Sequence, residues 1–363
     1  MARVTLQTIA DRVGVSRMTV SNAFSRPDQL SSALRETILA TAAELGYVGP
    51  DPAARALAKG TTGAVGILLT NSMGTAFRDD VATSFFGAVA EELAPTGLAV
   101  TLLPLYGSAD SIPARDVPID GALVYACPDG AAALDWLVRR RLPLVFVDRE
   151  PTPGAASVTL DERGGGRQGA EHLIELGHRH VGLLTSSFAG PHGIVPDPAA
   201  AGGDFVARER VAAWTQTLGA AGARMTAAQV RENTDSEGYE GAHLLLDTDV
   251  EDRPTGILCF SDTLAWGAAR AAQDLGLRVA QDVSIIGFDD AQIARRARPA
   301  LTTVRQDVGA KGRAAAAALT ETIARRRERL DGDGILDEEP VRVVLPTELV
   351  VRHSTGPAPV QGS

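Results

Sequence analysis

The stretch GVSRMTVSNAF, Gly14 to Phe24, sets Arg17, Met18, Ser21 and Asn22 among small apolar residues. On a helix capped by Ser16, those four residues face away from Val20 and Phe24. Just upstream, LQTIADRV places Leu6, Ile9, Ala10 and Val13 on one face of a first helix, and Gly14 ends it. Ala10, Gly14 and Val20 have the spacing of a helix-turn-helix. Ala lets the helices approach, Gly permits the tight turn, and Val20 packs inward. Downstream, SRPDQLS reads as a loop. Ser31 or Ser32 then caps a third helix over ALRETILATAAELGY, with Gly46 at its C-terminus.

A generic helical hairpin shares this spacing, so the outward residues carry the functional reading. A helix of this kind fits the major groove, where base edges are distinguishable. Arg17 suits guanine O6 and N7, Asn22 suits adenine N6 and N7, and Met18 suits a thymine methyl. Thr5, Ser31 and nearby backbone amides suit phosphates.

Charge agrees once the chain is divided. The whole carries −10. Residues 1–60 hold seven Arg or Lys against five Asp or Glu, a net of +2, so the remainder carries −12. A positive module on an acidic body is the pattern of a small DNA-binding unit joined to something else. Of the 35 basic residues only two are lysines, Lys59 and Lys311; this reads as compositional drift.

After the third helix, VGPDPAARALAKGTTG offers Asp51 as N-cap and Pro52 at the first helical position. AARALAK is then a helix of about two turns, marginal in isolation. From Gly63 the pattern changes. Apolar strands (GAVGILLT, LAVTLLPL, DGALVYA, LPLVFVD, ASVTLD, HVGLLTS, TGILCFSD, VSIIGFDD) alternate with amphipathic helices such as DDVATSFFGAVAEELA, GGRQGAEHLIELG, RERVAAWTQTLGAAG and TLAWGAARAAQDLG. That alternation indicates parallel sheets buried on both faces, and the strands are too many for one sheet. Residues 191–204 read as a loop and STGPAPVQGS as a disordered tail. HRH, 178–180, reads as a helix C-terminus where cations favour the dipole. Cys127 and Cys259 sit in apolar runs and read as buried free thiols.

VTLQTIADRVGVSRMTVSNAFSRPDQLSSALRETILATAAELGYVGPDPAARALA resembles the headpiece and hinge of the lactose-repressor (LacI) family of bacterial transcription regulators. The resemblance continues through EHLIELGHRHVGLL, RERVAAW, GLRVAQDVSIIGFDD and PALTTVRQD. It implies an all-α helix-turn-helix headpiece (1–49), a linker with a hinge helix (50–62), and a two-lobed α/β core like periplasmic binding proteins (63–353). The N-lobe is expected over 63–160 and 292–326, the C-lobe over 161–291 and 327–353, and a tail over 354–363. It also implies a ligand-controlled regulator, most often a repressor, on near-palindromic double-stranded operator DNA. No leucine-heptad tail follows the core, so a homodimer is expected rather than a tetramer.

Arg17 and Met18 match the family's main base-reading pair, and Leu57 matches the leucine that wedges into the minor groove and kinks the duplex. Many members carry Arg where this chain has Asn22. The expected DNA-contacting set is Thr5, Leu6, Ser16, Arg17, Met18, Ser21, Asn22, Ser31, Tyr47, Ala54, Leu57 and Ala58.

Ligands of parallel α/β sheets sit beyond the carboxyl ends of strands. Here those ends carry Thr70, Asn71, Asp148, Asp161, Ser186, Ser261, Asp262, Asp289 and Asp290. Carboxylates and amides there suit a hydroxyl-rich ligand; some of these residues can equally cap the next helix. The resemblance selects Arg210 and Asp289 as effector residues, with Asp148 and Ser261 at further contact positions. Phe77 and Asp79 fall on the other lobe, and Asn233 stands where some sugar-binding members have an aromatic. A sugar or polyol is the expected effector, a nucleobase or nucleoside the alternative. No Walker motif, Ser-His-Asp order, zinc spacing or GxGxxG is convincing, and GGGR (164–167) lacks the phosphate-loop Lys. No enzyme activity, cofactor or metal is expected. The N-terminus has no apolar signal core, and no run approaches the ~18 apolar residues of a membrane span. The expected location is the cytoplasm, with no membrane partner.

Overall fold

The computed structural model describes residues 4–49, 51–69, 73–105, 112–126, 130–152, 154–187, 190–331 and 339–359. Thr70, Asn71 and Cys127 lie outside them. The chain divides into two compact units, Met1–Gly63 and Ala64–Ser363.

The first unit contains α1 (Leu6–Val13), α2 (Arg17–Ser25), α3 (Ser32–Glu44) and α4 (Pro52–Lys59). Ile9, Ala10, Val20, Ala23, Ile38 and Ala42 form its buried centre, ringed by Leu6, Val13, Phe24, Leu34 and Tyr47. The fully buried Ile9, Val20 and Ile38 each contribute about 1.5–3 kcal/mol relative to exposure. Gly14 ends α1 at φ 78°, a left-handed conformation that a side chain would strain. The Phe24 and Tyr47 rings meet edge to face at 5.7 Å and close the open end of the bundle.

The second unit holds two lobes. In chain order its elements are β1 (Ala64–Leu69), α5 (Met73–Ala76), α6 (Asp80–Leu93), β2 (Ala99–Pro104), α7 (Pro113–Asp116), β3 (Ala122–Tyr125), α8 (Ala132–Arg139), β4 (Leu144–Val147), β5 (Ala156–Leu160) and α9 (Glu162–Glu175). There follow β6 (His180–Ser186), β7 (Gly193–Val195), α10 (Phe205–Ala220), β8 (Arg224–Val230), α11 (Asp235–Leu246), β9 (Gly256–Cys259), α12 (Asp262–Asp274) and β10 (Ser284–Asp289). The last are α13 (Gln292–Arg296), β11 (Thr302–Gln306), α14 (Val308–Asp331), β12 (Arg342–Leu345) and β13 (Thr347–Val350).

The N-lobe sheet runs β12-β5-β4-β3-β1-β2 and is parallel throughout. The C-lobe sheet runs β13-β11-β10-β9-β6-β8-β7, with only its two edge strands antiparallel. Helices cover these sheets, which is why β4 (LVFV) and β9 (GILC) carry apolar residues without alternation and why even the polar Ser157 and Thr159 of β5 are buried. On the C-lobe, α11 and α12 pack backbone to backbone: a Cβ at Gly267 would lie 2.2 Å from the Asp235 carbonyl oxygen.

Several expectations are corrected. β11 belongs to the C-lobe sheet, and α14 and β12 belong to the N-lobe, so the lobe limits of 292–326 and 327–353 do not hold. The chain crosses between lobes at Asp161, Asp307 and Pro346. Residues 191–204, expected as a loop, contain β7, which pairs with β8. Residues 354–359 are not a free tail. The Ser354 hydroxyl donates to the Ile285 carbonyl at 2.5 Å and accepts from the Thr302 amide at 2.8 Å, and the Ala358 amide donates to the Leu176 carbonyl. These bonds satisfy polar backbone at the bottom of the C-lobe sheet. His178 lies beyond α9, fully buried, against Thr255, Ser284 and the Gly356 carbonyl. Burial holds its pKa below the ordinary value, so the helix-end cation of this motif is Arg179, which donates to the Ile174 carbonyl in the last turn of α9, and not His178.

Candidate functional site

The headpiece exposes one stripe of α2. Val20 and Ala23 are buried, whereas Arg17 and Met18 are exposed, Met18 at 69%. Ser21 and Asn22 continue the stripe one turn on and are half-buried. The Asn22 amide donates to the Gln29 side-chain oxygen at 3.0 Å, which leaves its own oxygen free to accept. Thr5, Ser16 and Ser31 are the N-caps of α1, α2 and α3. Their hydroxyls accept from the amides of Thr8, Thr19 and Leu34, at 3.3, 3.0 and 3.4 Å. Three capped helix N-termini carry partial positive charge of the kind that suits phosphate. Leu6 and Tyr47 are half-buried against the bundle. In α4, Asp51 caps the helix through the Ala54 amide, Ala54 is exposed, and Leu57 is 87% exposed. Ala58 lies in the same helix.

In the core, the strand ends gather polar groups around the cleft between lobes. Backbone strain gathers there too. Ala126, Asp148, Asp289 and Asp290 follow or end β3, β4 and β10 with φ of 46°, 52°, 117° and 55°. Non-glycine residues hold such angles at a cost of order 1–3 kcal/mol each, and they concentrate at functional sites.

From the N-lobe side, Asp148 is 8% exposed and bonds Lys311 at 2.5 Å. Lys311, near the start of α14 and 1% exposed, also donates to the Gln306 side-chain oxygen at 2.9 Å. Gln306, at the end of β11, donates in turn to Asp289 at 2.6 Å. A continuous chain of four side chains thus joins β4 to β10 across the lobe boundary. Asp79 caps α6 through the Ala82 amide at 2.9 Å. Phe77 is exposed, with its ring against Phe86; Phe85 stacks on Tyr125 at 4.7 Å. Burial raises the Tyr125 hydroxyl well above its usual range.

From the C-lobe, Arg210 bonds Glu162 at 2.7 Å and the Phe260 carbonyl, and its guanidinium lies 3.4 Å from the centre of the Phe288 ring. Burial works against this cation, but the charges of Glu162 and Asp289 outweigh it. Ser261 caps α12 and donates to Asn233 at 2.5 Å. Burial pushes the Asp289 carboxyl up to about 7, with the charge of Asp79 adding to the rise.

Not every strand-end residue serves the cleft. Asp161 caps α9 through the Gly164 amide. Asp262 accepts from the Ala291 amide at 2.8 Å. Asp290 is tied to Arg295, Arg305 and Arg352, whose bonds overcome burial and hold it at about 2. Sequence reasoning did not find Glu162, Tyr125, Gln306 or Lys311. The signal for Lys311 was present: in a chain that uses Arg almost everywhere, one of the two lysines is fully buried against a carboxylate.

The comparisons agree with this geometry. Residues 5–49 match the family model of bacterial regulatory proteins, lacI family, and residues 170–355 match the periplasmic binding protein-like domain. An HTH-type transcriptional regulator of Mycolicibacterium smegmatis is 36% identical over 374 residues, covering 98% of this chain and 97% of that protein. The solved complex of the transcriptional regulator CelR with cellobiose has a TM-score of 0.68 and 28% identity, covering 97% of this chain and 100% of that one. The lac repressor dimer bound to operator and the anti-inducer ONPF has a TM-score of 0.74 and 25% identity, covering 98% and 100%. With the helix-turn-helix unit and the two-lobed core on one chain, and relatives of this length and identity, the protein belongs to the LacI family of bacterial transcriptional regulators.

Proposed function

We propose that the chain is a repressor. A homodimer binds a near-palindromic operator through two headpieces, and a small polar effector in the core cleft sets the affinity. The observation that carries this reading is the α2 stripe. A three-helix core buries Val20 and Ala23 and leaves Arg17, Met18, Ser21 and Asn22 on the surface, without an apolar partner to explain Met18. α4 supports it. An eight-residue helix is marginal alone, and Leu57 on its surface acquires cover when it enters a minor groove. The lac repressor dimer solved on its operator offers the matching precedent.

In the cleft, Asp79, Asp148 and Asp289 accept hydroxyl groups, Arg210, Asn233 and Ser261 complete the polar ring, and the exposed face of Phe77 supplies an apolar contact. Effector and operator affinities are coupled reciprocally. Several phosphate contacts make operator binding steeply salt-dependent.

The test is selection from random duplexes with the full-length chain, beside an Arg17→Ala/Met18→Ala variant. The reading expects a palindrome with a fixed central step, and relaxed half-site bases for the variant. No enrichment by the native chain, alone or with pooled sugars and nucleobases, would overturn it.

A further inference from the structure

Asn22 is held from outside its own helix. It lies one turn beyond Met18 on the outer stripe of α2 and is half-buried. Its side-chain nitrogen donates to the Gln29 Oε1 atom at 3.0 Å, across the bend that follows α2. That bend is itself fixed. The Arg26 amide donates to the Asn22 carbonyl at 2.8 Å, and the Gln29 amide to the Arg26 carbonyl at 3.1 Å. Arg35 of α3 donates to the Ala23 carbonyl at 3.3 Å. Directly after Gln29, Leu30 packs against the buried centre of the bundle and Ser31 caps α3. Gln29 thus ends a short 3-10 turn (Pro27–Gln29) anchored on both sides, and its exposed side chain reaches back to the α2 stripe.

The polarity of this partner decides what Asn22 presents. A carboxamide has an oxygen that accepts and a nitrogen that donates twice, and half a rotation exchanges their places. An acceptor at Gln29 keeps the nitrogen on its own side, through the proton trans to Oδ1. Toward the groove remain Oδ1 and the other amide proton, one acceptor beside one donor in a single plane. Adenine offers the complement in the major groove, an N7 acceptor beside an N6 donor. Guanine offers two acceptors, N7 and O6, so Oδ1 would face O6 with repulsion. An arginine in place of Asn22 would present donors only and favour guanine.

Resting on the reading of α2 as the helix that enters the major groove, we propose that Gln29 is a positioning residue for base recognition: it orients the Asn22 carboxamide and so makes adenine the base that Asn22 selects. The pair, and not Asn22 alone, sets the specificity at that half-site position. In the free protein the bond is exposed to water and contributes little to stability. In a groove that excludes water, a turned carboxamide would leave polar groups unpaired, and the orientation then counts.

The experiment is competition binding by the full chain to duplexes built on its selected operator, with each of the four base pairs placed in turn at every position of one half-site. The position that Asn22 reads is the one where Asn22→Ala levels the four. There the native chain is expected to favour adenine about tenfold over guanine. Gln29→Ala should cut that preference to within about threefold at that position alone, and should add nothing in the Asn22→Ala background. Gln29→Glu keeps an acceptor and should keep the adenine preference, while its added charge weakens binding to all the duplexes alike. The Gln29 variants should melt with the native chain, because the side chain is exposed. A preference for another base at that position overturns the proposal, as does an Asn22→Ala variant that levels none. So does a Gln29→Ala variant that keeps the native preference or changes a different position, or a Gln29→Glu variant that loses the preference. Each of these outcomes needs an operator and so leaves the regulator standing, whereas failure to select any operator removes both readings.

Discussion

Replacing Lys311 with methionine isolates the buried pair at the centre of the cleft. The ammonium lies 2.5 Å from Asp148 and 2.9 Å from Gln306, and Lys311 is 1% exposed. Methionine keeps most of the volume, so the cavity contribution is small. What remains is a buried Asp148 whose Oδ1 already lacks a partner and whose Oδ2 has just lost one. Removing one member of a buried pair costs about 3–5 kcal/mol, because the other is left unpaired in a poor solvent. At about 2 °C per kcal/mol for a unit of this size, the melting temperature of the ligand-free chain should fall by about 6–10 °C. The double variant Asp148→Asn/Lys311→Met strands no charge and should recover most of that loss. Thermal unfolding followed by circular dichroism, with the four members of the cycle side by side, is the assay. A single variant within about 2 °C of the parent, or a double variant no more stable than the single, would refute the account of Asp148 and Lys311 as a dependent pair.

Other outcomes follow from the geometry. Arg17→Ala should leave the headpiece folded, since the side chain is exposed, and should cost about 1–3 kcal/mol of discrimination at one half-site base in a competition assay. Leu57→Ser should weaken operator binding while leaving the unfolding of the core unchanged, as measured by gel shift and thermal melting together. Asp289 favours its protonated form in the folded chain, with a pKa raised to about 7. That stabilisation is fully present below about pH 4 and is lost as pH rises to 7, so the ligand-free melting temperature should fall between about pH 4 and 7 and level off above, and Asp289→Asn should flatten the slope. Gly267→Ala should destabilise the C-lobe, because its Cβ would collide with the Asp235 backbone, and chemical denaturation would show it.

The headpiece was legible because its periodicity is local: caps, a turn glycine and two amphipathic faces lie within one short stretch. The eight strands read from apolar runs are present. The strands that escaped reading carry shorter or more polar stretches. β8 is RMTAAQV, where small and polar residues pack under α11, and β12 (RVVL) and β13 (TELV) are four-residue edge strands with at most three apolar residues in a row. α14 is so rich in Ala and Arg that no apolar stripe announces it. Where the lobes exchange chain is a tertiary fact, set by which sheet a strand joins, and no local pattern around Asp307 or Pro346 encodes it. For the cleft, strand-end position brought Asp148, Asp289 and Ser261 to notice. It could not separate Asp161 and Asp290 from them, because a helix cap and an arginine cluster look alike in sequence until their partners are placed. Lys311 and Gln306 escaped because their roles depend on side chains far away along the chain.

The three crossings between lobes also bear on how the chain is made. The N-lobe sheet lacks its outermost strand until Arg342–Leu345 has been synthesised, and the C-lobe sheet waits for Thr347–Val350. Until then β5 and β11 present unpaired edges to any other nascent chain. The helical unit ending at Gly63 has its own buried centre and needs nothing later than itself. At ordinary synthesis rates about 15–55 s separate the completion of the two. A newborn chain therefore owns its DNA-reading surface well before it owns the apparatus that governs it, and a message cut short in that interval yields an ungoverned headpiece on an aggregation-prone stub.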